Sequence, residues 1–327
     1  MRNLRSLMRL TFLSAAALFL SGCGGNLNPG TVGYSPAATQ LPSGSSAAVR
    51  TQKLVTFNPQ NESLEYWTIG PNGSSQLTPL SGSLGFNQVY NLAADGDVIV
   101  MTNYSPAEIV TYNVKTKAQT TLNDPYGGPV DVAIDKKATI YALNLASVAV
   151  FARGSSNPSE LTCSMITTAE AIAVDKESDV FVDGYGHNFM GIVEYPAGSS
   201  TCKPLAINKQ SGYIGGVGVD PKTDDLIVVD DPDLCAGGIE GRMRIFPKPY
   251  RRNHFRWRNL NANYCAGTIR LNADSSLIFV ADATISDGYP LVDQRTYPGA
   301  KGNGVYENGY YSGSFSGFTT IPNTLPN

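Results

Sequence analysis

Three observations on the 327-residue sequence predict an all-β chain folded as a six-bladed β-propeller. A strand-turn-strand phrase returns five times, a third strand marked by an aromatic residue returns six times, and the step between copies is 40 to 52 residues. Four short strands per unit at that period suit a propeller, because each blade buries its faces against its neighbours and ring closure removes exposed edges.

The phrase reads NLAADGDVIVMTN from Asn91, VAIDKKATIYALN from Val132, IAVDKESDVFVDG from Ile172, VGVDPKTDDLIVVDD from Val217 and IRLNADSSLIFVAD from Ile269. In each copy an apolar, often β-branched run meets a polar turn, and a second apolar run stops at a polar residue, as strands do. With Ala93, Ile134, Val174, Val219 and Leu271 taken as equivalent, the steps are 41, 40, 45 and 52 residues, so insertions lengthen toward the C-terminus. The third-strand aromatics are Trp67, Tyr112, Phe151, Tyr195, Phe246 and Tyr297. Weaker fourth strands such as AQTTL and CKPLAI complete the units. The 277 residues from 51 onward hold six of them, with a seven-bladed ring as the alternative count. Because the first unit lacks an innermost strand before Lys53, the tail GSFSGFTTIP, Gly313 to Pro322, is expected to supply it and close the ring.

Ahead of the repeats, Arg2, Arg5 and Arg9 precede an apolar stretch of eleven residues, Leu10 to Leu20, which is too short to span a bilayer. Leu20-Ser21-Gly22-Cys23 then resembles the lipobox of bacterial lipoproteins. That resemblance implies cleavage before Cys23 and a diacylglyceryl group on its thiol. It divides the chain into a signal peptide (1–22), a lipidated cysteine with a Gly/Ser/Pro-rich tether (23–50) and the propeller domain (51–327). Each buried methylene of such an anchor contributes about 0.8 kcal/mol, so the mature chain is expected on a membrane of the bacterial cell envelope, facing away from the cytoplasm. Gly24 after the cysteine favours the outer membrane.

A hydrophobic content of 42% with 16% charged residues fits an ordered protein. With 24 basic and 27 acidic residues the formal charge is −3, too little field to gather nucleic acid, so no nucleic acid partner is expected; a monomer is. No GxSxG elbow, phosphate-cradling loop or CxxCH haem attachment occurs, and neither His187 nor His254 stands in a catalytic or zinc motif, so no catalytic residue is assigned.

The phrases GGVGVD, IYALN, LIFVAD and VEYPAGSS resemble NHL-repeat and SMP-30/gluconolactonase-like propellers over roughly Lys53 to Pro298. The resemblance implies architecture more than activity, since that superfamily includes lactone hydrolases, other enzymes and interaction modules. Its metal-dependent lactonases hold their ion with Glu, Asn and Asp side chains from separate blades.

The residues that could form such a set are those ending each second strand: Asn103, Asn144, Asp183, Asp230 or Asp231, and Asp282. Oxygen ligands converging at a channel mouth suit Ca²⁺ or another divalent cation, the one cofactor in view; the same residues also cap their own turns by accepting backbone N–H bonds. Asp230, Asp231 and Asp233, with Asp224 and Asp225, form an acidic run that reads either as a Ca²⁺ loop or as a solvated surface. Directly after it, Arg242, Arg244, Arg251, Arg252, Arg256 and Arg258 are interleaved with Phe246, Tyr250, Phe255 and Trp257. This patch fits an anionic polysaccharide, lipid head groups or an acidic partner; alternatively, its arginines pair with the preceding aspartates and its aromatics pack between blades. Four cysteines beyond Cys23 permit three pairings, of which Cys163 with Cys202 and Cys235 with Cys265 are expected, each joining neighbouring blades. These readings predict a lipid-anchored extracytoplasmic module that binds an envelope protein, a polysaccharide or a small ligand without catalysis. The alternative is a metal-dependent, lactonase-like hydrolase.

Overall fold

The computed structural model describes residues 52–70, 73–74, 76–207, 213–231, 242–251, 254–260, 265–283, 291–307 and 317–322. Arg50–Asn327 forms one compact unit. Its described residues contain no helix and build six sheets arranged as the blades of a propeller. From the innermost strand outward, blade 2 is Val89–Asp95, Val98–Asn103, Glu108–Asn113 and Gln119–Asn123. Blade 3 is Asp131–Ile134, Ile140–Leu143, Ser147–Phe151 and Ser159–Thr162, and blade 4 is Thr168–Val174, Val180–Gly186, Phe189–Tyr195 and Lys203–Pro204. Blade 5 is Tyr213–Val219, Leu226–Asp231, Arg242–Phe246 and Arg256–Asn259. Blade 6 is Cys265–Leu271, Leu277–Ala283, Leu291–Thr296 and Gly302–Glu307, whose outer edge is covered by a parallel pairing with Gly73–Ser74.

Blade 1 is completed from both ends of the unit. Phe318–Pro322 is its innermost strand, antiparallel to Gln52–Asn58, which pairs in turn with Ser63–Thr68 and Thr78–Pro79. The tail thus closes the ring, as the missing strand before Lys53 predicted. Gly317 is needed at this closure: a Cβ there would lie 2.1 Å from Asn91 Oδ1, while its N–H donates to Tyr90 O at 2.9 Å.

The core is divided into six apolar clusters, one at each interface between adjacent blades. The recurring aromatics explain this division. Tyr112, Phe151, Tyr195, Phe246 and Trp67 are all buried, each in the cluster its blade shares with the preceding one, and Tyr297 packs partly against the cluster between blades 5 and 6. An aromatic once per repeat therefore supplies the large apolar area that wedge-shaped interfaces require.

Antiparallel pairing gives the ring two distinct faces. On the upper face each inner strand begins and each second strand ends, as the partners Val89 and Asn103, and Thr168 and Tyr185, show. The lower face carries the turns between first and second strands. There the repeated Asp or Asn organises the turn: Asp135 Oδ1 accepts from the N–H groups of Lys137 and Thr139, Asp175 from Glu177 and Asp179, and Asn272 from Ser276 and Leu277. These turns are also tied across blades, since Lys248 Nζ donates to Asp175 at 2.8 Å and Ser275 Oγ to Asp220. Gln52 pairs with Pro322 at the lower end of its strand, so the unit begins on the lower face.

The disulfide joins Cys163 to Cys202, linking the loop after blade 3 to blade 4 as expected. Cys23, Cys235 and Arg252 lie outside the described residues, and Asp230, Asp231, Cys265 and Asp282 are described only by their places in strands.

Candidate functional site

The central channel is lined by small and β-branched residues of all six inner strands, among them Ala94, Val132, Ala173, Gly218, Ile269 and Thr319, around a cavity of about 210 Å³. One side chain spans it. Arg270 of blade 6 donates to Leu92 O (2.9 Å) and Asn91 Oδ1 (3.3 Å) in blade 2 and to Asp131 Oδ1 (3.2 Å) in blade 3. The other carboxylate oxygen of Asp131 accepts the Ile172 N–H of blade 4 at 2.9 Å. Four blades are thus joined through one buried ion pair. Burial raises the Asp131 carboxyl pKa, and Arg270 limits the rise. Neither residue was marked by the repeat pattern: both stand in strand phrases as ordinary alternating positions, and only the bonds across the ring reveal them.

The described polar residues ending the second strands of blades 2 to 4, Asn103, Asn144 and Asp183, are buried. Asn103 donates to Glu108 at the start of its own third strand, and Asn144 donates to Asp124 in the loop entering its blade. Blade 1 contributes an equivalent that the repeat count overlooked: Asn58 donates to Glu65 and accepts the N–H groups of Gln60 and Asn61. Its signal was present in FNPQNESLEY, which follows the same apolar-run-to-amide pattern. Oδ1 of Asn103, Oδ1 of Asn144 and Oδ2 of Asp183 are buried without a hydrogen-bond partner. Burial, reinforced by Glu170, holds the Asp183 carboxyl well above the usual carboxylate range. Among the described residues, no three His, Cys, Asp or Glu side chains stand together as a metal-holding group.

What the upper face gathers instead is aromatic and apolar surface. Among the described residues, eight large apolar or aromatic side chains are exposed, and six of them, Tyr90, Tyr104, Tyr126, Leu145, Tyr185 and Met190, belong to upper-face ends and loops of blades 2 to 4. Contacts and backbone bonds tie neighbouring parts of this face together. Tyr90 and Tyr104 lie with ring centroids 5.1 Å apart. The Tyr104 ring covers Gly128, where a Cβ would come within 2.6 Å of it. Gly127 stands against the Asn144 side chain, the Leu145 carbonyl accepts the Ala169 N–H at 2.7 Å, the Tyr185 carbonyl accepts the Thr167 N–H at 2.9 Å, and Tyr185 pairs with Met190 across the strands.

The basic segment of blade 5 is dispersed. Arg256 pairs with Asp225 at 2.8 Å, Arg258 donates to the Trp257 carbonyl, and Arg244 lies over the Phe246 ring at 5.7 Å. Phe246 and Tyr250 are buried, Phe255 packs on Phe246, and Trp257 is 58% exposed. Strand alternation turns Trp257 to the opposite side from Arg256 and Arg258, so a compact patch of sequence becomes two sides of an edge strand. Arg242 opens the third strand on the upper face, whereas Arg251 lies in the lower loop.

Fold and site together define a six-bladed propeller with a bridged channel and an aromatic upper face. Among solved structures it is similar to one titled as a nidogen/laminin complex (14% identity, 83% of this chain and 98% of that one, TM-score 0.67). It is also similar to TolB from Acinetobacter baumannii (11% identity, 83% and 66%, TM-score 0.60) and to Kuenenia stuttgartiensis hydrazine synthase (10%, 78% and 80%, TM-score 0.52). At these identities the likeness is one of fold. No protein-family model and no curated protein matches the sequence.

Proposed function

We propose that the chain is a lipid-anchored, extracytoplasmic propeller, akin to NHL and SMP-30 propellers, that holds an envelope partner on the upper face of blades 2 to 4 and performs no chemistry there. The observation that carries this reading is the gathering of six of eight exposed large apolar side chains on that face, since contiguous exposed apolar surface marks interaction sites. The nidogen/laminin likeness adds that this fold occurs in a protein complex. The hydrolase alternative is less favoured, because the Arg270 guanidinium stands where a cation bridging several blades would stand.

The test is native electrophoresis of detergent-solubilised envelope membranes from cells producing the full chain. Wild type is expected in a complex heavier than the monomer, Tyr104→Ser with Tyr185→Ser at the monomer position, and lower-face Lys137→Ser still in the complex. Migration of wild type as a monomer, or indifference to the tyrosine changes, overturns the reading.

A further inference from the structure

We infer that the occupant of the upper face is a protein whose contact patch is apolar and rimmed by lysine and arginine; this rests on the upper-face reading above. The charge distribution points that way. The segments 80–88, 103–108, 123–130, 143–147, 162–168 and 185–190, which enter blades 2 to 4 or join their second and third strands, contain no Lys or Arg. Their acidic side chains are Glu108 and buried Asp124, and Glu170 and buried Asp183 lie in the adjoining strands. Polyanionic polymers and anionic lipid head groups need cations to replace their counterions, and these segments carry none of their own.

Its side-chain chemistry distinguishes protein from neutral polysaccharide. Tyrosine serves both, but Leu145 and Met190, with half-buried Met165 and Phe189 beside them, offer sugar hydroxyls nothing and adapt well to apolar side chains. Tyrosine and methionine with few exposed charges is the composition of a protein interface core, whose charges stand at the rim. The face is also preorganised: Gly128 seats Tyr104 against Tyr90, and backbone bonds fix Leu145 and Tyr185. Little backbone freedom at these positions remains to be lost on binding.

The experiment places a photoreactive phenylalanine analogue at Tyr104 of the full, lipidated chain and irradiates isolated envelope membranes. Tryptic mass spectrometry is expected to find the probe joined to a peptide of a second polypeptide. The yield should fall severalfold between about 50 mM and about 0.5 M salt, as rim charges are screened. Glu108→Gln with Glu170→Gln should lower the low-salt yield roughly threefold and leave the high-salt yield unchanged. An adduct to polysaccharide, to lipid or to a second copy of this chain, or a yield indifferent to salt and to both glutamates, overturns the inference while the binding-face reading stands. No adduct together with monomeric migration on native electrophoresis overturns both.

Discussion

At the scale of single residues, the buried carboxylates fall into two groups of opposite effect. In the lower turns, burial alone would raise Asp135 and Asp220, yet hydrogen bonds from the Lys137 and Thr139 N–H groups to the first and from Ser275 and the Lys222 N–H to the second bring both below the ordinary carboxylate value. Their stabilising contribution is present above the unfolded-state pKa and is lost as pH falls through the folded one. Asp183 is the reverse: its folded-state pKa is raised by burial, so the folded chain holds the proton more tightly. Stability therefore falls as pH rises from the ordinary carboxylate range to that raised value. Asp183→Asn is expected to remove this slope and raise the melting temperature at neutral pH, checked by melting curves across pH; an unchanged slope refutes the assignment. The turn aspartates were legible in the sequence because they recur with the repeat, whereas the partnerless Oδ2 of Asp183 follows from packing around it. The Arg270–Asp131 pair was not legible, because a strand pattern gives alternation and only the closed ring turns these two positions toward each other. Replacing Arg270 by Met leaves a buried carboxylate unpaired and is expected to cost about 3–5 kcal/mol in urea unfolding, with part recovered by adding Asp131→Asn.

Among the elements, the closing strand carries the most weight per residue. Phe318–Pro322 is short, yet it completes blade 1, places buried Phe318 and Ile321 in two different interblade clusters and bonds through Thr320 Oγ1 to Leu271 O of blade 6. Deleting Gly313 to Asn327 exposes both the edge of Gln52–Asn58 and those clusters, so the melting temperature should drop sharply; a transition like that of the full chain contradicts this closure. The sequence pointed to this strand through an absence, the missing inner strand of the first unit. It also gave the Cys163–Cys202 bond through the similar places of the two cysteines in successive units. In the arginine-rich segment, strand alternation turns Trp257 away from Arg256 and Arg258, a relation that the order of residues alone does not display.

For the whole molecule, the two faces divide the labour. The lower face is a network of turn carboxylates, lysines and backbone bonds, and the upper face of blades 2 to 4 gathers exposed aromatic side chains. The anchor itself is tested by Cys23→Ala, which should move the folded chain from the membrane pellet to the soluble extracytoplasmic fraction; retention in the pellet contradicts lipidation as the attachment. The sequence by itself determined the architecture, because a propeller is a local unit repeated, and the alternation, turn residues and aromatic of each unit are encoded within about forty positions. It also marked the polar strand ends of blades 2 to 4, though not Asn58 of blade 1. Tertiary structure alone decided which residues meet across the ring, how Arg270 closes the channel, and that scattered tyrosines in loops up to a hundred residues apart form one face. Those facts depend on loops from different blades coming together in space, a relation that no local pattern in the chain records.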